Sequence, residues 1–336
     1  MSIMATITPI EFNNGIDEVN ELKKYARRCV HHGLNVIDEG SPFHPYLMYH
    51  QMFNPNIEQE QQIIKALGSS WLKDSKEINV YSDLGINQYM IDQINDILDF
   101  NPATPIYITS LKNKLKIPTD IEQLKEKQRD FLNIDQKTIN DYILDYEFSP
   151  KSDFSSIKGA IPNQFHFKDF EKVIMESPFA GDVKNNVQYA KNSIRYLATK
   201  LISASASHLI YTQMLDDTKK EDRDKGIDKG IDIAHNIDSI FMVDRGLSGG
   251  MKYGYDRAKK ERRKVGFQTL SENPTIIQEV QNLKNWDEAE RYIKSISKKN
   301  DKLFQNTGYI IDDVHEKIKK TVENKKLKSK NKKAPI

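Results

Sequence analysis

The chain carries the same order of short motifs twice. A Tyr-Ala pair begins a helical pattern at Tyr25 and again at Tyr189, and an aspartate follows a predicted strand at Asp83 and again at Asp244. Corresponding positions lie roughly 161 to 164 residues apart. A nearly constant separation predicts a duplicated domain with small insertions between its elements. The chain is therefore expected to fold into two related halves.

Apolar runs and helical periodicities alternate in both halves, which is typical of β-α-β units. In the second half, the runs and periodicities predict strands at 172–175, 201–204, 239–243 and 265–267, and helices at 185–200, 227–234 and 251–260. In the first half they predict strands at 7–12, 34–37, 77–81 and 105–108, and helices at 20–31, 57–72 and 89–98. The expected fold class is α/β, with two tandem Rossmann-like three-layer sandwiches whose sheets are parallel.

Four segments follow from this alternation. Residues 1–112 form a first, degenerate copy, and residues 171–271 form the second copy. Residues 113–170 are interpreted as a helical connector, and residues 272–336 as a helical extension that ends in a basic tail.

Composition excludes several classes of protein. The chain is 38% hydrophobic and 29% charged, and no apolar run reaches the roughly 18 residues that would span a bilayer. We therefore expect a cytoplasmic protein with no membrane partner. Cys29 is the single cysteine, and no histidine has acidic or thiol neighbours at metal-ligand spacing, so neither a metal site nor a cofactor is predicted. A homo-oligomer or a larger assembly is compatible with the duplication.

Lysines crowd the C-terminal end of the chain. They are Lys317, Lys319, Lys320, Lys325, Lys326, Lys328, Lys330, Lys332 and Lys333. Such a run stays solvated. It is either a solubilising tail or an arm that contacts nucleic acid or an acidic protein surface, since clustered lysines gain affinity for nucleic acid by releasing condensed counterions.

Loops that follow parallel strands are where open α/β sheets bind ligands. In the second half, those loops predict a set of ligand-binding residues: Ser177, Pro178, Phe179, Gly181, Asp182, His208, Tyr211, Gln213, Asp244, Gly246, Ser248, Gly249, Gly250 and Met251. The glycines are suited to phosphate contact at a helix start, or are required only by the turn. His208 is either a general acid or a structural residue, and the tyrosine that recurs as Tyr49 and Tyr211 suits ligand contact or a shared structural hydrogen bond equally well.

The string from Ser177 to Val183, together with Ser207-His208-Leu209 and Ser248-Gly249-Gly250-Met251, resembles one family. It is similar to the phage and bacterial uncharacterised domains related to nucleoside 2-deoxyribosyltransferases. The resemblance is specific over residues 172–270 and weak over residues 7–111.

The resemblance implies that an N-glycosidic bond is cleaved by a carboxylate nucleophile on the helix after the glycine loop. In this chain, Lys252 or Gly254 stands where the glutamate would be, and Asp256 follows at a different angle around the helix. Asp256 is therefore the candidate catalytic residue. In the first copy, the corresponding helix offers Asp92 and Gln93.

Three functions remain open at this point. The first is a nucleoside or nucleotide N-glycosidase or deoxyribosyltransferase. The second is a degenerate copy of that fold that holds or sequesters a nucleotide without cleaving it. The third is a phage-encoded virion or assembly component that uses the duplicated fold and the lysine tail as interaction surfaces. The missing glutamate favours the last two, whereas the retained loops favour the first two.

Overall fold

The computed structural model describes residues 3–10, 16–36, 40–54, 57–128, 170–216 and 219–299, and gives the backbone alone for residues 16–21, 113–115, 213 and 297–299. Most of the predicted connector, the predicted helical extension beyond residue 299 and the lysine tail lie outside this part. Within it, no helix is long and apolar enough to cross a membrane.

The first sheet has five strands in the order β2-β1-β3-β4-β5, and only β5 runs antiparallel to its neighbour. Its strands are β1 (Ile3–Ile7), β2 (Ser41–Phe43), β3 (Glu77–Tyr81), β4 (Ile106–Ser110) and β5 (Asn113–Thr119). Its helices are α1 (Ile16–Val36), α2 (Pro45–Tyr49), α3 (Glu58–Leu72), α4 (Gln88–Leu98) and α5 (Ile121–Glu126). Strand β1 is buried along its whole length, as expected of a central strand covered on both faces.

The second sheet has four strands in the order β7-β6-β8-β9. They are β6 (Glu171–Glu176), β7 (Ile202–Ser205), β8 (Ser239–Met242) and β9 (Val265–Gln268), and the pairs β6/β7 and β8/β9 are parallel. The helices of this half are α6 (Val183–Ala198), α7 (Lys220–Ala234), α8 (Gly249–Lys260), α9 (Pro274–Gln281) and α10 (Trp286–Lys299). Two short 3-10 turns, Ser207–Leu209 and Tyr211–Gln213, follow β7.

The α/β class, the two mostly parallel sheets and the helical C-terminal region are confirmed. Several elements differ from the sequence-based prediction. The first strand lies at Ile3–Ile7 and not at 7–12, and the predicted strand at 34–37 is wrong because α1 continues to Val36. The start of the predicted helical connector is the strand Asn113–Thr119, which pairs with β4.

Contacts divide the chain into two compact units that do not follow the two sheets. The first unit comprises Met1–Ile174 and Ala190–Asp238, and the second comprises Met175–Tyr189 and Ser239–Ile336. The end of β6 and the start of α6 therefore belong to the second unit, with β8, α8, β9 and the C-terminal helices.

An aromatic core fills the second unit. Phe241 of β8 contacts the rings of Tyr255, Phe267 and Trp286, with ring centroids 5.9 to 6.1 Å apart. Helices α9 and α10 cover this core through Ile276, Val280, Trp286 and Ala289. The C-terminal helices are thus part of the second unit's core, and they hold α8 against the sheet.

Candidate functional site

Asp244 is the centre of a hydrogen-bond network at the end of β8. Its carboxylate accepts hydrogen bonds from the Tyr189 hydroxyl at 2.6 Å, from the Leu270 backbone N–H at 2.9 Å and from the Thr269 hydroxyl. Burial raises the pKa of Asp244, while these donors oppose the rise. The carboxylate therefore joins α6, the loop after β8 and the loop after β9.

The same network exists in the first unit. Asp83 accepts hydrogen bonds from the Tyr25 hydroxyl at 3.0 Å, from the Ser110 hydroxyl at 2.5 Å and from the Leu111 backbone N–H at 3.0 Å. Each donor corresponds in order to a donor of Asp244, so the two networks match donor by donor. The presence of this network in both halves is explained by the fold, because in each half it links the loops that follow two neighbouring strands.

The loop after β6 is fixed by two side chains. The Asn186 amide donates to the carbonyl oxygens of Phe179 and Ala180 at 3.0 Å each. Arg245 donates to the Asn186 amide oxygen at 2.8 Å and lies 3.5 Å from the Asp182 carboxylate. These contacts bring the loops after β6 and β8 together.

The predicted residues of this loop differ in accessibility. Ser177 and Pro178 are buried, Phe179 and Asp182 are partly exposed, and Gly181 is exposed. Gly181 has a φ of 92°, which a side chain rarely permits. The backbone of Gly181 is thus open to solvent at the carboxyl end of β6.

The loop after β8 leads directly into α8. Gly246 has a φ of 81°, and Ser248 caps the helix by accepting from the Met251 backbone N–H at 3.3 Å. A Cβ atom added at Gly249 would meet nothing within 4 Å, so packing does not require glycine at that position. Gly250 is also exposed, whereas Met251 is buried in the core. The first turn of α8 is therefore approachable from solvent.

Glu176 brings a carboxylate to this helix from the last position of β6. A Cβ atom at Gly254 would lie 2.7 Å from the Glu176 Oε1 atom, so the carboxylate occupies the space beside that glycine. The side chain is partly exposed. Burial raises the pKa of Glu176 to about 7, against the lowering effect of the Arg263 guanidinium. Sequence reasoning missed this residue, although an acidic side chain at the end of an apolar strand was a signal that could have identified it.

Asp256 lies elsewhere on the helix surface. It is exposed and forms an ion pair with Lys252 one turn earlier on α8. A solvated carboxylate paired at i,i+4 is typical of a helix surface. The structure thus places Asp256 in a solvated surface environment and the Glu176 carboxyl group beside Gly254.

The remaining predicted residues belong to the first unit. Burial lowers the pKa of His208 to about 4, so its imidazole is neutral near pH 7. Tyr211 is buried, and its hydroxyl donates to the Pro42 carbonyl oxygen at 3.3 Å. Gln213 ends a 3-10 turn, and its side chain is outside the described part. The contacts of Tyr211 favour the structural explanation of the recurring tyrosine, and its ligand contact stays a prediction.

A surface cavity of about 550 Å³ lies in the first unit, at the edge of the first sheet where β3 and β4 begin. It is lined by residues that precede β3 and β4, among them Lys73, Lys76, Phe100 and Thr104. Among the described residues, no group of three histidine, cysteine or acidic side chains is placed to hold a metal ion.

One family model matches part of the chain. The family described as Domain of unknown function (DUF7768) matches residues 171–268. This stretch runs from β6 to β9 and contains Glu176, Asp244 and Gly254. No curated protein and no solved structure gives a match.

Proposed function

We propose that the chain binds a nucleoside or nucleotide at the strand-end loops of the second unit, and that Glu176 acts on its N-glycosidic bond. The observation that carries this proposal is the Glu176 carboxyl group beside Gly254, with its pKa raised to about 7. Gly254 is one of the two positions at which the resemblance to nucleoside 2-deoxyribosyltransferases places a catalytic glutamate. In this chain, a neighbouring strand supplies a carboxylate to the same part of the helix.

The proposed chemistry uses the carboxylate as a nucleophile. A bond forms between a Glu176 oxygen and the anomeric carbon of the sugar, while the bond from that carbon to the base nitrogen breaks. The electron pair of the broken bond leaves with the base, which takes a proton from water. Water or a second base then attacks the anomeric carbon and releases the glutamate. A group with a pKa near the working pH is suited to this role because its ionised form is accessible and still reactive.

The loops support binding of the sugar and base. The exposed backbone at Gly181, Gly249 and Gly250 allows close approach of a ligand, and the Asp244 network fixes the loops that present it. A preorganised site of this kind also suits a protein that binds a nucleotide without cleaving it. This second function is favoured by the lack of an acidic side chain at Gly254 itself.

The test is release of free base from deoxynucleosides and their 5′-monophosphates, followed by chromatography. Glu176→Gln keeps the shape of the side chain but removes its charge, so we expect the rate to fall by at least about 100-fold. Glu171→Gln is the matched control, since Glu171 is exposed at the other end of β6 and should leave the rate unchanged.

Three outcomes decide between the alternatives. Base release that persists in Glu176→Gln and disappears in Asp256→Ala would show that the carboxylate is wrongly assigned. No base release, combined with a nucleotide-dependent rise in melting temperature, would favour the binding function; a ligand at 100 times its Kd adds about 2.7 kcal/mol. If no base is released and no nucleotide raises the melting temperature, both functions are contradicted.

A further inference from the structure

The surface cavity of the first unit is lined by two segments that differ in chemistry. Segment 73–76, between α3 and β3, contributes Lys73 and Lys76 and forms the basic wall. Segment 100–105, between α4 and β4, contributes exposed apolar side chains and forms the apolar wall; they are Phe100, Ala103 and Pro105. The volume of about 550 Å³ is within the range of small-molecule sites. A ligand in this cavity therefore meets positive charge on one side and apolar surface on the other.

The basic wall carries positive charge that nearby carboxylates do not neutralise. Asp74 also lines the cavity, but its carboxylate forms an ion pair with Lys172. Within the described part of the chain, neither Lys73 nor Lys76 forms an ion pair. The Lys73 ammonium group lies 5.6 Å from the centroid of the Phe100 ring, so it stands where the two walls meet. The charge of this wall favours an anionic ligand.

A buried hydroxyl group adds a further donor between the two lysines. Ser75 lines the cavity and is 2% exposed. Its Oγ atom has no hydrogen-bond partner among the residues that the structure describes. Buried polar groups of folded proteins nearly always have a partner, so a missing one indicates a bound ligand or an ordered water molecule. A hydroxyl group can donate to the oxygen of an acid group.

The duplication shows that the fold does not require the apolar wall. Helix α4 and strand β4 are connected by seven residues, 99–105, whereas α8 and β9 are connected by four, 261–264. In the shorter connection, the Arg263 guanidinium donates to the Ser239 hydroxyl at 2.8 Å and pairs with Glu261 at 2.9 Å. The same two elements are thus joined in the second copy without the extra residues. The longer connection of the first copy supplies the apolar side chains of the cavity.

We propose that this cavity binds a small organic anion, whose acid group contacts Lys73 and Lys76 and whose ring packs against Phe100. Ammonium groups form charge-assisted hydrogen bonds with carboxylate and phosphate oxygens. A flat ring buries apolar surface against Phe100, and aromatic pairs gain additional energy in offset or edge-to-face contact. This site lies in the first unit and goes beyond the nucleoside chemistry proposed for Glu176. Neither proposal depends on the other.

The probe is phenyl phosphate, which combines a ring with an acid group, and binding is measured by isothermal titration calorimetry at pH 7. We expect saturable binding to one site. Inorganic phosphate lacks the ring and should bind at least about tenfold more weakly. Lys73→Gln and Lys76→Gln should each weaken phenyl phosphate binding at least about tenfold. Lys200→Gln changes an exposed lysine just after α6 and should bind like the original chain.

Phe100→Ala separates the ring contact from the charge contact. It should weaken the binding of phenyl phosphate and leave that of inorganic phosphate unchanged. The three substituted side chains are at least partly exposed, so the variants should fold like the original chain. Absence of saturable phenyl phosphate binding would overturn the proposal, as would full affinity in both lysine variants. Equal affinity for phenyl phosphate and inorganic phosphate would overturn it too. Base release is measured separately and should be unchanged in Lys76→Gln, so the two proposals can fail independently.

Discussion

The Glu176 carboxyl group makes the stability of the protein depend on pH. Its pKa is about 7 in the folded chain and about 4.3 in an unfolded chain. Between these values the folded state keeps a proton that the unfolded state has lost, so the free energy of unfolding falls as the pH rises from about 5 to 8. The expected loss is on the order of 2–3 kcal/mol.

Urea unfolding of the original chain and of Glu176→Gln at pH 5 and pH 8 measures this effect. The difference between the two proteins isolates Glu176 from the other titratable groups of the chain. We expect Glu176→Gln to lose less stability than the original chain between the two pH values. Equal losses would mean that Glu176 ionises as an ordinary exposed glutamate.

Single residues also show what the sequence could and could not reveal. The loop residues from Ser177 to Asp182 and from Asp244 to Gly250 were identifiable because turns after parallel strands have a recognisable composition. Glu176 was not, since the resemblance places the catalytic carboxylate on the helix after the glycine loop, whereas Glu176 ends a strand. A contact between a strand end and a helix more than 70 positions later leaves no local pattern.

At the scale of elements, the duplicated aspartates join strand ends that the sheet itself does not connect. Asp244 and Asp83 each accept from a tyrosine, a hydroxyl and a backbone N–H. Substitution of either aspartate by asparagine replaces one carboxylate oxygen, which accepts hydrogen bonds, with an NH2 group, which donates them. In Asp244→Asn and Asp83→Asn this NH2 group faces the donors of the network. Hydrogen bonds to a charged group contribute about 1.5–3 kcal/mol each, so each variant should lose about 2–3 kcal/mol of unfolding free energy.

Urea unfolding at pH 7 checks this expectation, and Asp99→Asn is the control because Asp99 is an exposed residue at the end of α4. A loss in only one of the two variants would show that the networks differ in energy despite their matching donors. Asp244→Asn should also weaken any nucleotide response, because the loops of the second unit depend on it.

Elements with strong local signals were predicted well. The strand at Glu77–Tyr81 has the predicted bounds, and the helix that begins at Gly249 follows a serine cap. The predicted strand at 34–37 failed because a short apolar run fits the end of a buried helix equally well. Strand β5 was missed because its charged sequence resembles a solvated connector, and only its pairing with β4 makes it a strand.

At the scale of the whole molecule, the two copies contact each other reciprocally inside the first unit. Tyr49, which ends α2, donates to the Ala204 carbonyl oxygen in β7 at 2.9 Å. Tyr211 donates to the Pro42 carbonyl oxygen in β2 at 3.3 Å. Tyr211 lies 162 positions after Tyr49, and Ala204 lies 162 positions after Pro42, so the two hydrogen bonds join corresponding pairs of positions. Such reciprocity is the pattern of a two-fold symmetric contact.

This symmetry predicts that the hydroxyls of Tyr49 and Tyr211 both stabilise the folded chain, but by different amounts. Tyr49 also shares a hydrogen bond with the Ser203 hydroxyl at 3.0 Å, whereas the bond from Tyr211 to Pro42 is longer. Both hydroxyls are buried, so Tyr→Phe leaves a buried carbonyl oxygen without that donor. We expect Tyr49→Phe to lower the free energy of unfolding by about 1–3 kcal/mol and Tyr211→Phe by about 1 kcal/mol.

Urea unfolding of each single variant and of the double variant measures these values. Tyr253→Phe is the control, because Tyr253 is 55% exposed on α8. The two bonds form separate contacts of one interface, so the double variant should lose the sum of the single losses within about 0.5 kcal/mol. A single variant as stable as the original chain would show that the corresponding bond does not hold the halves together, and that packing alone maintains the interface.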